Sequence, residues 1–191
     1  HHNTSLTTTA LGTLPSPTLG EVVRDINKYS NNVMARQLFL TLGLESGRRP
    51  ASAEDADAAV RAWLDARGLV VPDLVLENGS GLSRRERITA EGLGRALGVA
   101  WKSAVMPELI ASLPVAATDG TMKKRLRQNG IAGQAHIKTG SLEGVRSIAG
   151  WVLDKSGRRW IVVFFVNHAN AGAAQPALDA LLQWVYERGG V

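Results

Sequence analysis

The last third of the chain constrains the fold most. Residues 134–139, 145–153 and 159–167 are strand-like runs, the last reading Arg-Trp-Ile-Val-Val-Phe-Phe-Val-Asn. β-Branched and aromatic residues at this density favour extended backbone. Asp154-Lys155-Ser156-Gly157 has the composition of a tight hairpin turn between the second and third runs. Connections this short cannot cross over a sheet, so the three runs are expected to form an antiparallel meander. An amphipathic helix closes the chain, with Pro176 near its first turn, Leu178, Leu181, Leu182 and Val185 on one face, and Gly189 past its end.

The preceding residues read as helices and turns. Residues 4–17, rich in Thr, Ser and Pro, form a loop or extended lead-in, and His1-His2 reads as an affinity-tag remnant. Thr18 and Glu21 make a capping box, followed by Leu19, Val22, Val23 and Ile26 at helical spacing. The stretch from Asn27 to Asn32 is poor helix, because Asn and Ser side chains compete for backbone hydrogen bonds. Periodicity resumes at Met34, Leu38 and Leu42. Ser52 and Asp55 cap a further helix that runs to about Arg67 and stops at Gly68. Residues 74–83 read as a short strand entering a Gly-rich turn, and Thr89 to Ser103 as a weaker helix interrupted by Gly92, Gly94 and Gly98. Residues 114–130 are expected to be loop with one short helix. The fold class is therefore α/β of the α+β type, with helices packed on an antiparallel sheet. Residues 1–17 are set apart from a single unit over 18–191, without an internal repeat or an inter-domain linker.

Composition excludes several chemistries. With no cysteine, disulfides, thiolate nucleophiles and Cys-based zinc sites are absent. His136 and His168, the histidines left once the first two are set aside, are too few for a His-rich metal site. No apolar run approaches the length that spans a bilayer. The net charge of +5 gathers in two clusters, Arg84/Arg85/Arg87 and Lys123/Lys124/Arg125/Arg127. Neither cluster is interleaved with aromatics or joined to a nucleic-acid motif, so a solvated basic surface facing an anionic substrate is the better reading.

Two polar stretches stand out: Lys-Tyr-Ser-Asn-Asn over 28–32, and His-Ile-Lys-Thr-Gly-Ser over 136–141. Taken singly, Ser30 and Asn32 read equally well as caps of the following helix, and Lys138-Thr139-Gly140 as a strand end. Together they offer a chemistry. A lysine beside a serine can hold and polarise its hydroxyl, and the neighbouring threonine can bind a carboxylate. A glycine on an edge strand lets a substrate backbone lie alongside, and the N–H of Ser141 can point at a developing oxyanion.

Ser-x-Asn followed by Lys-Thr-Gly resembles the second and third signatures of the penicillin-binding proteins and serine β-lactamases. "NGSGLSRRERIT" (78–89), "LPVAATDGTMKKRL" (113–126) and "GQAHIKTGSLEGVRSIAGWV" (133–152) narrow the resemblance to low-molecular-mass D-alanyl-D-alanine carboxypeptidase/endopeptidases of the DacB type. It runs from about Leu19 to the C-terminus. The resemblance implies a transpeptidase-like domain and a periplasmic serine peptidase acting on peptidoglycan D-Ala-D-Ala peptides and acylated by β-lactams. Ser30, Asn32 and Lys138 would be catalytic, Thr139, Gly140 and Ser141 would bind substrate, and no metal or other cofactor would be required. A serine β-lactamase and a non-catalytic module gripping D-Ala-D-Ala peptides are the alternatives.

Three departures from the family pattern qualify that reading. Asn31 stands where Ser-Asp-Asn is usual, and Asn78 where Asp is usual. The family's nucleophilic Ser-x-x-Lys is missing: three residues before lysines 28, 102, 123, 124, 138 and 155 stand Asp25, Val99, Gly120, Thr121, Ala135 and Val152. The chain is thus expected to be the C-terminal part of a split domain, partnered by an N-terminal part of the same protein. It should then expose a sheet edge or core face.

Overall fold

A computed structural model describes residues 12–47, 49–128 and 130–188. The lead-in over residues 1–11 and the stop at Gly189 lie outside them. Three strands, β1 (Ala135–Leu142), β2 (Val145–Leu153) and β3 (Arg159–Asn167), pair antiparallel in the order β1-β2-β3. The register sets Thr139 opposite Ile148 and Ile148 opposite Phe164. The meander is as expected, and its first strand runs three residues further than the sequence indicates. Gly157, at φ +82°, closes the β2–β3 turn.

Alternation along the strands divides the sheet into two faces. One face presents Ala135 and Ile137, then Ile148 and Val152, then Val162. These pack with Leu178, Leu182 and Val185 of the C-terminal helix α6 (Gln175–Glu187) to form the main core. The opposite face carries Lys138, Gly140 and the buried Trp151, whose ring lies 6.0 Å from that of Trp101. Trp101 ends helix α4 (Ala90–Trp101), which packs on β3 and β2.

Helix α4 is continuous, against the expectation of an interrupted one. A Cβ on Gly92 would stand only 2.9 Å from Val71 Cγ1, whereas on Gly98 and Gly94 it would make ordinary contacts with β3, 3.6 Å from Ile161 Cδ1 and 3.9 Å from Val163 Cγ2. The helices α1 (Leu19–Tyr29), α2 (Asn32–Glu45) and α3 (Ala53–Asp65) form the N-terminal layer; the expected capping box of Thr18 with Glu21 is present, and Ser52 and Asp55, expected to cap α3, form a second one. A seven-residue helix α5 (Met106–Ser112), begun by Pro107 and not foreseen from the sequence, packs on α1. The expected strand at 74–83 reduces to one bridge, Val75 with Arg87; its polar residues fold instead into the turn that follows. Over 114–130 the short helix is a 3-10 turn at Gly120–Met122.

Part of each basic cluster is used structurally. Arg125 pairs with Asp179 of α6 at 2.6 Å, and Arg84 donates to the Glu143 carbonyl at 2.8 Å. Among the described residues no helix is long and apolar enough to cross a membrane.

Candidate active site

The site begins where α1 stops. Asn27 to Tyr29 remain helical, and Ser30 ends the helix in the left-handed conformation, φ 54° and ψ 47°. The N–H groups of Ser30 and Asn31 both close on the Ile26 carbonyl. Few non-glycine residues adopt this backbone, and such outliers gather where geometry serves a purpose. Asn31 then caps α2, its side-chain oxygen accepting the Met34 N–H at 3.1 Å. Neither Ser30 nor Asn32 caps that helix. The middle residue does, and Asp would cap equally well, which accounts for Asn in place of Asp. The chain reverses within two residues, leaving the Ser30 hydroxyl at the corner and Asn32 exposed at the first position of α2.

Lys138 reaches the same corner from β1. Its ammonium donates to Ser30 Oγ at 2.9 Å and to the Thr139 carbonyl at 2.8 Å, joining residues 108 apart in sequence. Burial, which disfavours the charged form, pushes the Lys138 pKa below the ordinary lysine value. Ser30 Oγ is occupied as an acceptor by this bond, so its own O–H proton remains available to donate elsewhere.

The outer edge of β1 is half covered. Ile137 N–H donates to the Pro114 carbonyl at 2.8 Å, and Ala116 N–H to the Ala135 carbonyl at 2.9 Å. Odd-numbered residues of β1 therefore aim their backbone groups outward, and by that alternation the N–H groups of Thr139 and Ser141 open on the outer edge. Beyond Ile137 no described segment pairs with that edge. At Gly140 a Cβ would meet the hydroxyl of the cross-strand partner Ser147, which would have to turn away to admit it.

The family model for D-Ala-D-Ala carboxypeptidase 3 (S13) matches residues 2–187. The chain belongs to that family. It is 30% identical over 159 residues to D-alanyl-D-alanine carboxypeptidase DacB of Haemophilus influenzae, an alignment covering 82% of this chain and 33% of that protein. To carboxypeptidase DacB of Mycolicibacterium smegmatis it is 34% identical over 181 residues, covering 91% and 38%. The crystal structure of penicillin binding protein 4 (dacB) from Haemophilus influenzae, complexed with a novel β-lactam, superposes with a TM-score of 0.78 at 27% identity, over 87% of this chain and 40% of that one. The chain thus spans about a third of the length of the curated relatives it matches.

In this family member the structure also reveals residues around the site that the sequence did not single out. Lys28, 8% exposed, donates to the Leu113 carbonyl at 2.6 Å and to Asp119 Oδ2 at 2.7 Å. Thr121 meets Thr139, hydroxyl to hydroxyl, at 2.7 Å. Both lie within stretches that carry the family resemblance, but their partners are 91 and 18 residues away, beyond the reach of local pattern. Asn78 organises the Gly-rich turn, its side-chain oxygen accepting from Ser80 N–H at 2.9 Å and Ser80 Oγ at 2.7 Å. An Asp carboxylate could accept the same two bonds, so that turn does not require the missing charge.

Proposed function

We propose that Ser30, Asn32 and Lys138 are catalytic residues of a periplasmic serine D-alanyl-D-alanine carboxypeptidase that also cleaves D,D-crosslinks of peptidoglycan. The observation that carries this reading is the 2.9 Å contact between Lys138 Nζ and Ser30 Oγ. The nucleophilic serine is supplied by a Ser-x-x-Lys outside these 191 residues, since no lysine here has a serine three positions before it.

The stem peptide lies along the open half of β1 as an added strand, its terminal carboxylate held by Thr139 with the help of Ser141. Gly140 keeps that edge unobstructed. The nucleophile attacks the penultimate D-alanyl carbonyl, and the N–H of Ser141 donates to the oxyanion that develops. As the C–N bond breaks, Ser30 passes its proton to the leaving amine of D-alanine and takes up in exchange the proton released by the attacking hydroxyl. Lys138, donating to Oγ, fixes the direction in which that proton faces. Asn32 holds the substrate amide and the nucleophile's lysine. Water then hydrolyses the acyl-enzyme and restores the serine. β-Lactams acylate the same serine.

The test is Ser30→Ala in the full-length protein, followed by acylation with a fluorescent penicillin and by D-alanine release from a D-Ala-D-Ala peptide. Both rates should fall by about a hundredfold, the usual effect of losing one preorganised group at about 3 kcal/mol. A folded variant acylating at the wild-type rate would refute the assignment.

A further inference from the structure

Lys28 is the one buried lysine among the described residues, and the chemistry above makes no use of it. It sits in the last turn of α1, two residues before Ser30. Its ammonium holds the Leu113 carbonyl and Asp119 Oδ2 at 2.6 and 2.7 Å, while Asp119 Oδ1 accepts the Val115 N–H at 2.8 Å. Asn27 adds a bond to Ser112 Oγ at 2.7 Å. The approach is close: a Cβ on Gly120, which has φ +52°, would stand 2.6 Å from the Lys28 carbonyl oxygen.

The same segment grips β1 from its other side. Pro114 and Ala116 pair with Ile137 and Ala135 through the backbone, and Thr121 meets Thr139. Residues 112–121 are therefore a strut between the two elements that deliver the catalytic pair. The sheet holds β1, but α1 lies outside the sheet, and the strut is where it is tied to the strand.

We propose that Lys28, acting through Asp119 and Leu113, is a positioning residue that sets the spacing between Ser30 and Lys138. This rests on the roles given to those two residues above. Lysine suits the task because one ammonium can bind a carbonyl and a carboxylate together, and a buried charge makes both bonds obligatory. Proton relay demands hydrogen-bond range, and a misplacement of about 1 Å can cost about a hundredfold in rate.

The experiment compares acylation by a fluorescent penicillin in the full-length protein for Ser30→Ala, Lys28→Met, Asp119→Asn and the two double variants with Ser30→Ala. Each is measured below its own melting transition. Lys28→Met should slow acylation by about 10- to 100-fold and Asp119→Asn by about 3- to 10-fold, a positioning loss smaller than or equal to that of the group positioned. Added to Ser30→Ala, each should cost no more than about threefold further, because residues acting as a unit are non-additive. A general structural weakening would instead multiply through. If Lys28→Met does not fold, Asp119→Asn, which keeps the bond to Leu113, decides the matter with its own double variant. Single variants at the wild-type rate, or penalties that multiply in the doubles, overturn the inference. Ser30→Ala at the wild-type rate would overturn the site itself, a distinguishable result.

Discussion

Replacing Lys138 by Met should separate catalysis from stability. Met keeps much of the aliphatic stem and removes the charge together with its bonds to Ser30 Oγ and the Thr139 carbonyl. For the barrier, losing one preorganised cation costs about 3 kcal/mol, or about a hundredfold in acylation rate. For stability two effects oppose. Each lost hydrogen bond is worth about 0.5–1.5 kcal/mol net. Against this, burial lowers the Lys138 pKa, so the folded protein bears a penalty for keeping that ammonium charged. The net change should stay within about 1.5 kcal/mol of either sign, a few degrees in Tm. The sign with pH is fixed. With the folded pKa below the ordinary lysine value of about 10.4, the unfolded chain binds more protons between the two values. Wild-type stability relative to Lys138→Met should therefore rise with pH through that window, and fall back as pH drops through the folded pKa. Penicillin acylation and thermal unfolding of the full-length protein measure both halves. Acylation within threefold of wild type, or a stability difference flat with pH, would refute the reasoning.

Two further outcomes follow from local geometry. At the β2–β3 turn Asp154 is buried, which pushes its pKa up, but bonds from Trp160, Ser156 and Arg158 outweigh this and hold it well below the ordinary aspartate range. Its stabilising contribution is complete above about pH 4 and is lost as pH falls through the folded value, so Asp154→Asn should flatten the acid limb of an unfolding-versus-pH curve. In the Ser-x-Asn corner, Asn31→Ala should cost about 1 kcal/mol by urea unfolding, whereas Asn31→Asp should be nearly neutral because it preserves the cap on Met34 N–H.

What the sequence determined is what short stretches encode. The meander followed from β-rich runs separated by turns too short for a crossover, and the turn at Asp154–Gly157 was legible from residue type alone. The caps at Thr18 and Ser52 were visible because each joins residues three apart. The order of the quoted stretches was enough to name the family. Other features depended on contacts made only after folding. Gly92 looks like a helix breaker until Val71 is found packed against it. The short helix at Met106–Ser112 has no strong signal of its own and is supported by its packing on α1. Sequence placed Ser30 at a polar corner but could not show its left-handed backbone, nor that Asn31 is the residue that caps. The Lys28–Asp119 and Ser30–Lys138 contacts join residues 91 and 108 apart. Periodicity reports which face of an element is buried, but a single polar contact between two elements carries no period. It is fixed only when the sheet and the strut bring both ends together.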